Sequence, residues 1–158
     1  MEQRIEYQKT AQEPMRAMLA LERYLHGSGL EHSLLHLVKL RASQINGCAY
    51  CIDMHTKDAR ARGETEQRLY LTSAWREAPF YTERERAALE WTEALTLISE
   101  GGVPDELYQA TRKHFSEKEM VDLTFAVIAI NGWNRLSITF RPPVGEYQPG
   151  AYAAATAA

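Results

Sequence analysis

Residues 36–60 read HLVKLRASQINGCAYCIDMHTKDAR, and the stretch divides at Asn46-Gly47. That dipeptide is a turn signal between two helical patterns. Upstream, Leu34, Leu35, Leu37, Val38 and Ile45 are spaced as the inward face of a helix over about Glu31 to Gln44. Downstream, a helix starting at Cys48 or Ala49 is expected to run through Arg62, where Gly63 stops it. The chain is therefore read as helix, tight turn, helix, with its two cysteines at the turn.

The same reading extends in both directions. Met15, Met18, Leu19, Leu21 and Leu25 give an apolar face to a helix from about Glu13 to His26, which Gly27-Ser28-Gly29 breaks. Glu64 to Trp75 forms a short helix ending near Pro79. Thr82 and Glu85 have the spacing of a capping box, in which a hydroxyl and a carboxylate each accept from the other's backbone N–H. That helix is expected to reach about Ser99, with Ala87, Ala88, Trp91, Leu95 and Ile98 spaced for burial. Gly101-Gly102 ends it, and Pro104 suits the first turn of the next, through about His114.

Ser116 and Glu119 repeat the capping box ahead of MVDLTFAVIAINGW, apolar on most faces and so suited to the core's centre or an oligomer interface. Beyond it, SITFRPPVGEYQPGAYAAATAA loses helical periodicity, and Pro142-Pro143 forbids a continuing helix. A tail that wraps a neighbouring subunit or stays loose is expected there. The fold class is all-α: one domain over residues 1–158 with about seven helices, a core over about 13–140 and a C-terminal tail over 141–158.

Composition narrows the function. A chain of 158 residues, 45% hydrophobic and 25% charged, is ordinary for one globular domain. Eighteen Lys and Arg against 21 Asp and Glu leave a net charge of −3, so no basic face is expected for a nucleic acid. The start, MEQRIEYQKTAQE, has no signal-peptide core, and the apolar run LTFAVIAI falls far short of the roughly 20 residues that span a bilayer. No membrane association is expected, and a cytoplasmic location is. There thiols are kept reduced, so two cysteines point to redox chemistry or metal before a structural staple.

On a helix, Cys48 and Cys51 are i and i+3, and Cys51 and His55 are i and i+4, which brings all three to one face. Cys48 lies at the helix N-terminus, where free N–H groups and the macrodipole favour a thiolate. A second thiol three residues away can condense with a sulfenic acid and store the oxidation as a disulfide. Two other readings stay open. Cys48, Cys51 and His55, with His36 as a fourth ligand, could hold zinc. The cysteines could also be small core residues. The residues alone favour redox without excluding the others.

The run from His36 to Arg60 resembles the alkylhydroperoxidase (AhpD-like) core of the carboxymuconolactone decarboxylase superfamily, most strongly over about residues 31–100. The ending INGWNRLSITFRPPVGEY is similar to that of other members. The family pattern is Glu, eleven residues, Cys-x-x-Cys, three residues, His. The resemblance implies an all-helical fold in trimers or hexamers and thiol-dependent peroxide reduction with an antioxidant role. It implies no tightly bound cofactor, a hydroperoxide substrate and a dithiol or dithiol protein as electron donor. By this resemblance Cys51 attacks peroxide, Cys48 resolves, and His55 relays the proton away.

The resemblance and the helix-end argument disagree over which thiol is the nucleophile, since the latter favours Cys48. The chain also departs from the pattern twice. His36 stands at the family's Glu, where an imidazole can accept a proton in its place. Tyr50 stands where founding members have a histidine between the cysteines. His32 and His114 have no partner in the motif and are read as surface residues. Two other functions are carried forward: a decarboxylase of the kind that names the superfamily, and a zinc-stabilised or redox-sensing interaction protein.

Overall fold

The computed structural model describes residues 2–152, and the alanine-rich end falls outside them. Nine α-helices and one 3₁₀ turn lie among the described residues: α1 (Tyr7–Thr10), α2 (Gln12–His26), α3 (His32–Asn46), α4 (Ala49–Ala61), α5 (Glu66–Leu71), the 3₁₀ turn Thr72–Ala74, α6 (Glu83–Thr96), α7 (Ile98–Gly101), α8 (Asp105–Arg112) and α9 (Glu117–Phe140). The seven expected helices are present, and single turns α1 and α7 add to them.

Both capping boxes form. Thr82 and Ser116 each accept from the backbone N–H three residues on, and Glu85 and Glu119 close the return bonds. The Ser116 backbone and hydroxyl, with Arg84, hold the Glu119 carboxyl down at about 2. Pro104 sits at the N-cap of α8, one residue before the position expected.

Helix α3 is the central column, packed against α4, α6 and α9. Leu34, Leu35, Leu37, Val38, Leu40 and Ala42 are buried, so most of its circumference faces protein. Its partners supply Trp91 and Leu89 from α6 and Leu123, Val127 and Ile130 from α9. Burial of side chains this size stabilises by roughly 1.5–3 kcal/mol each. Glu93 of α6 ties the column down, accepting from Arg41 of α3 at 2.7 Å and from the Trp75 indole at 2.8 Å.

Three expectations change. Helix α6 ends at Thr96, so Ile98 falls in a separate turn and is 57% exposed. Helix α9 runs on through Ser137–Phe140, because its N–H donors still find carbonyls one turn back. It stops at Arg141, a left-handed residue (φ 57°) one position ahead of Pro142, where the prolines were expected to bar a helix.

The tail, finally, is neither loose nor extended away over residues 141–152. It folds onto the chain's own α4: Lys57 donates to the carbonyls of Gly145 and Tyr147, and the Gly145 amide donates to Asp53. The expected looseness of the terminal alanines concerns residues outside the described ones.

No helix among the described residues is long and apolar enough to cross a membrane.

Candidate active site

The thiol pair is delivered by a sharp chain reversal. Helix α3 ends at Asn46, and Gly47 takes the left-handed conformation (φ 69°, ψ 30°) that glycine adopts without steric cost. Cys48 follows as the N-cap of α4, its sulfur accepting from the Cys51 amide at 3.4 Å. The corner is held from behind by amides of α9. Asn46 donates to Asn131 at 3.0 Å and to Asn134 at 2.8 Å, and Asn134 donates to the Ser43 hydroxyl at 3.0 Å. Since Asn134 and Ser43 are fully buried, these bonds satisfy groups that would otherwise oppose packing.

Cys48 and Cys51 are joined as a disulfide with a Cα–Cα distance of 5.4 Å, inside the usual range for such pairs. Both are buried among Ala42 and Ile130, with Tyr50 and Trp133 against them. Their surroundings nevertheless differ. A cavity of about 580 Å³ opens beside α4, and Cys51 lines it while Cys48 does not. Cys51, His55, Asp58 and Arg62 follow the helical period along that wall.

His36 faces the same cavity from α3, its ring centroid 6.2 Å from that of His55. The structure thus brings Cys51, His55 and His36 together, with Cys48 bonded behind. Burial, and secondarily the nearby Lys39 ammonium, depresses the His36 imidazole to about 4. The same causes, with His36 added, hold His55 well below the ordinary histidine value. Both rings are therefore neutral near pH 7. The buried Nδ1 of each makes no hydrogen bond among the described residues.

His32 is exposed, as expected, yet it lines the cavity rim, in ring contact with His26 at 5.5 Å. His114 lies away from the site and is half-buried. Tyr50 also lines the cavity, and its hydroxyl meets that of Tyr152 at 2.8 Å. Burial first, and that bond second, push its phenol above the ordinary value, so it is a neutral wall group.

Sequence reasoning missed three contributors. Glu22 of α2 and Lys39 of α3 form a buried ion pair on the cavity wall, Nζ to Oε2 at 2.5 Å. Trp133 of α9 donates its indole N–H to the other Glu22 oxygen at 3.0 Å. Burial alone would raise the Glu22 carboxyl, but Lys39 and the Trp133 bond hold it below the ordinary carboxylate value. The tail supplies the third contributor, Tyr147 and Tyr152, whose rings stack 5.8 Å apart and line the cavity. A lysine amid the buried leucines of LVKLR was the visible signal for the ion pair; the tail had none. Among the described residues no group of three or more His, Cys, Asp or Glu side chains is arranged to hold a metal ion.

The sequence pattern of the carboxymuconolactone decarboxylase family matches residues 12–94, which contain α2, α3, the thiol corner and most of α6. The chain belongs to that family. The uncharacterized protein YdfG of Bacillus subtilis (strain 168) is 50% identical over 138 residues, covering 87% of this chain and 94% of its own. A solved Agrobacterium tumefaciens protein, described as of unknown function with AhpD-type antioxidant defence suggested for it, superposes with a TM-score of 0.88. It is 50% identical over 92% of this chain and 100% of its own. The AhpD core of a peroxidase-related protein from Ralstonia eutropha JMP134 shares the fold, with a TM-score of 0.75 at 21% identity over 86% of this chain and 74% of its own. The family and the AhpD-like fold expected from the motif are thereby established.

Proposed function

We propose that this chain is a thiol-dependent hydroperoxidase and disulfide reductase. The observation that carries the reading is the asymmetry of the cysteine pair: Cys51 and both imidazoles line one cavity, and Cys48 lies behind it, out of a substrate's reach. Access thus supports Cys51 as the nucleophile, over the helix-end argument for Cys48.

In the reduced enzyme, Cys51 loses its proton to His55, which passes it by way of His36 towards water. The thiolate attacks the terminal oxygen of R–OOH; the O–O bond breaks, Cys51 becomes a sulfenic acid, and the alkoxide takes a proton to leave as R–OH. Cys48 then attacks the Cys51 sulfur and water departs, leaving the disulfide. An external dithiol reduces it and is itself oxidised to a disulfide. A cavity of about 580 Å³ is far larger than hydrogen peroxide requires, which favours an organic hydroperoxide.

A homo-oligomer, trimer or hexamer, is part of this proposal. Val121, Phe125 and Ile128 form an exposed apolar stripe one turn apart along α9.

Mass spectrometry of the reduced protein before and after one equivalent of cumene hydroperoxide tests the chemistry. Loss of two hydrogens localised to Cys48 and Cys51 is expected, and unchanged thiols would overturn it. A decarboxylase would leave the pair reduced, so the same measurement separates the two.

A further inference from the structure

The Glu22–Lys39 ion pair has no part in the reaction as written. Lys39 is 4% exposed and Glu22 is 7% exposed. Replacing a buried ion pair with apolar side chains is often neutral or stabilising, so stability alone is a weak account of it. Its placement is more informative. The Lys39 Nζ makes one hydrogen bond among the described residues, to Glu22, leaving two N–H groups for the cavity it lines. Glu22 lines the cavity too, but both of its oxygens are engaged, one by Lys39 and the other by Trp133.

The remaining charges around the cavity do not do what Lys39 can. From α2, His26 is bonded through Nδ1 to the Glu22 carbonyl. From α3, His32 and His36 face it, both held below the ordinary histidine value, first by burial. From α4, Asp58 is engaged by Tyr147, and Arg62 is exposed at the rim. The phenols of Tyr7, Tyr50 and Tyr147 are all raised, first by burial, and Tyr152 completes that wall. Helix α9 contributes Trp133 and Ser137, which carry no charge. After His55 has taken the Cys51 proton and passed it on, both rings are neutral again. The buried cation left to the cavity is Lys39.

We propose that Lys39, seated by Glu22, is a positioning residue whose ammonium stabilises the Cys51 thiolate in the cavity that both line. Its usefulness rests on the peroxidase reading, but its effect on the thiol does not. The step is a proton transfer only: Cys51 S–H gives its proton to His55 Nε2 or Nδ1, the proton leaves by way of His36 to solvent, and the thiolate remains in the cavity that Lys39 lines. Glu22 fixes the ammonium and keeps the site's net charge near zero when the thiol is protonated.

The test measures the thiol and needs no peroxide. In a Cys48→Ser background, Cys51 is the sole cysteine, and its alkylation by iodoacetamide is followed against pH. Lys39→Met is expected to raise the midpoint by one unit or more, which slows alkylation about tenfold at pH 7; an opposite charge close by typically moves a pKa by about 1–3 units. Lys39→Arg is expected to restore the parent midpoint, which a packing role would not predict.

The double variant Glu22→Gln with Lys39→Met leaves no lone buried carboxylate. It is expected to show the same upward shift with a native far-ultraviolet spectrum, and it decides the question if the single variant does not fold. A double variant with the parent midpoint would overturn the proposal. A shifted midpoint in a protein that consumes no hydroperoxide would instead overturn the peroxidase reading and leave the role of Lys39 standing.

Discussion

The Tyr147 hydroxyl lies 2.9 Å from each carboxylate oxygen of Asp58, so the tail is fastened to the same face of α4 that carries Cys51 and His55. The contact links residues 89 positions apart. A bond to an ionised acceptor is among the stronger neutral-donor interactions, contributing about 1.5–3 kcal/mol.

Tyr147→Phe keeps the ring and removes that bond. Unfolding by urea is expected to show a loss of about 1.5–3 kcal/mol. Limited proteolysis is expected to cut residues 141–152 sooner than in the parent, while the far-ultraviolet spectrum stays helical. Equal cleavage rates in the two proteins would show that the bond does not hold the tail.

The thiol corner depends on one backbone conformation. A Cβ at Gly47 would meet nothing within 4 Å, so only its positive φ opposes substitution. Gly47→Ala is expected to cost about 1–2 kcal/mol in a denaturation midpoint, the left-handed penalty for an L-residue. Gly47→Asn, which tolerates that region better, is expected to lose less.

Acidification is expected to destabilise the protein, and the sign follows from three groups. His36 titrates at about 4 folded against 6.5 in the reference state, so between these values the unfolded chain binds the extra proton. Its contribution is complete above pH 6.5 and is lost as pH falls towards 4. It amounts to up to about 3 kcal/mol, at 1.36 kcal/mol per unit. His55 acts in the same direction, and Glu22, also lowered, adds to the loss below its reference value of 4.5. Urea midpoints measured from pH 7.5 to 4.5 should fall steadily, and His36→Gln should flatten the slope. A midpoint that rose on acidification would contradict the buried neutral imidazoles.

The two cysteines are expected to fail differently. Cys51→Ser should abolish peroxide consumption. Cys48→Ser should still consume one equivalent and then stop, with a sulfenic acid trapped at Cys51 by dimedone. Dimedone labelling of Cys48 in the Cys51→Ser protein, at the parent's rate, would reverse the assignment.

The exposed stripe on α9 gives a separate test of assembly. Ile128→Glu is expected to lower the mass measured by light scattering from an oligomer to the 18.0 kDa chain. A parent that is itself monomeric would remove that part of the proposal.

The legibility of these features in the sequence follows their locality. Helix starts at Thr82 and Ser116 were readable because a capping box closes within four residues. The alignment of Cys51 with His55 was readable because it needs only the helical repeat. The length of α9 was not, since Ser137–Phe140 carry no apolar period, and continuation there rests on backbone hydrogen bonds and on burial of Ser137. Glu22 and Lys39 were hidden for another reason. Each looks like a surface charge in its own helix, and only the tertiary approach of Glu22 to Lys39 makes them a pair. The tail depended on partners some ninety residues away, a range at which local pattern carries no information.

The thiols are encoded at positions 48 and 51, but what encloses them comes much later: Ile130 and Trp133 of α9 pack on the pair, and Tyr147 and Tyr152 line its cavity. During synthesis both cysteines therefore leave the ribosome before the residues that cover them. A domain folds as a unit, so until α9 is present to complete the core the pair has no enclosing wall. The difference in access between Cys51 and Cys48 is therefore a property of the folded domain and not of the motif, and in the unfolded chain both sulfurs stand open to oxidants.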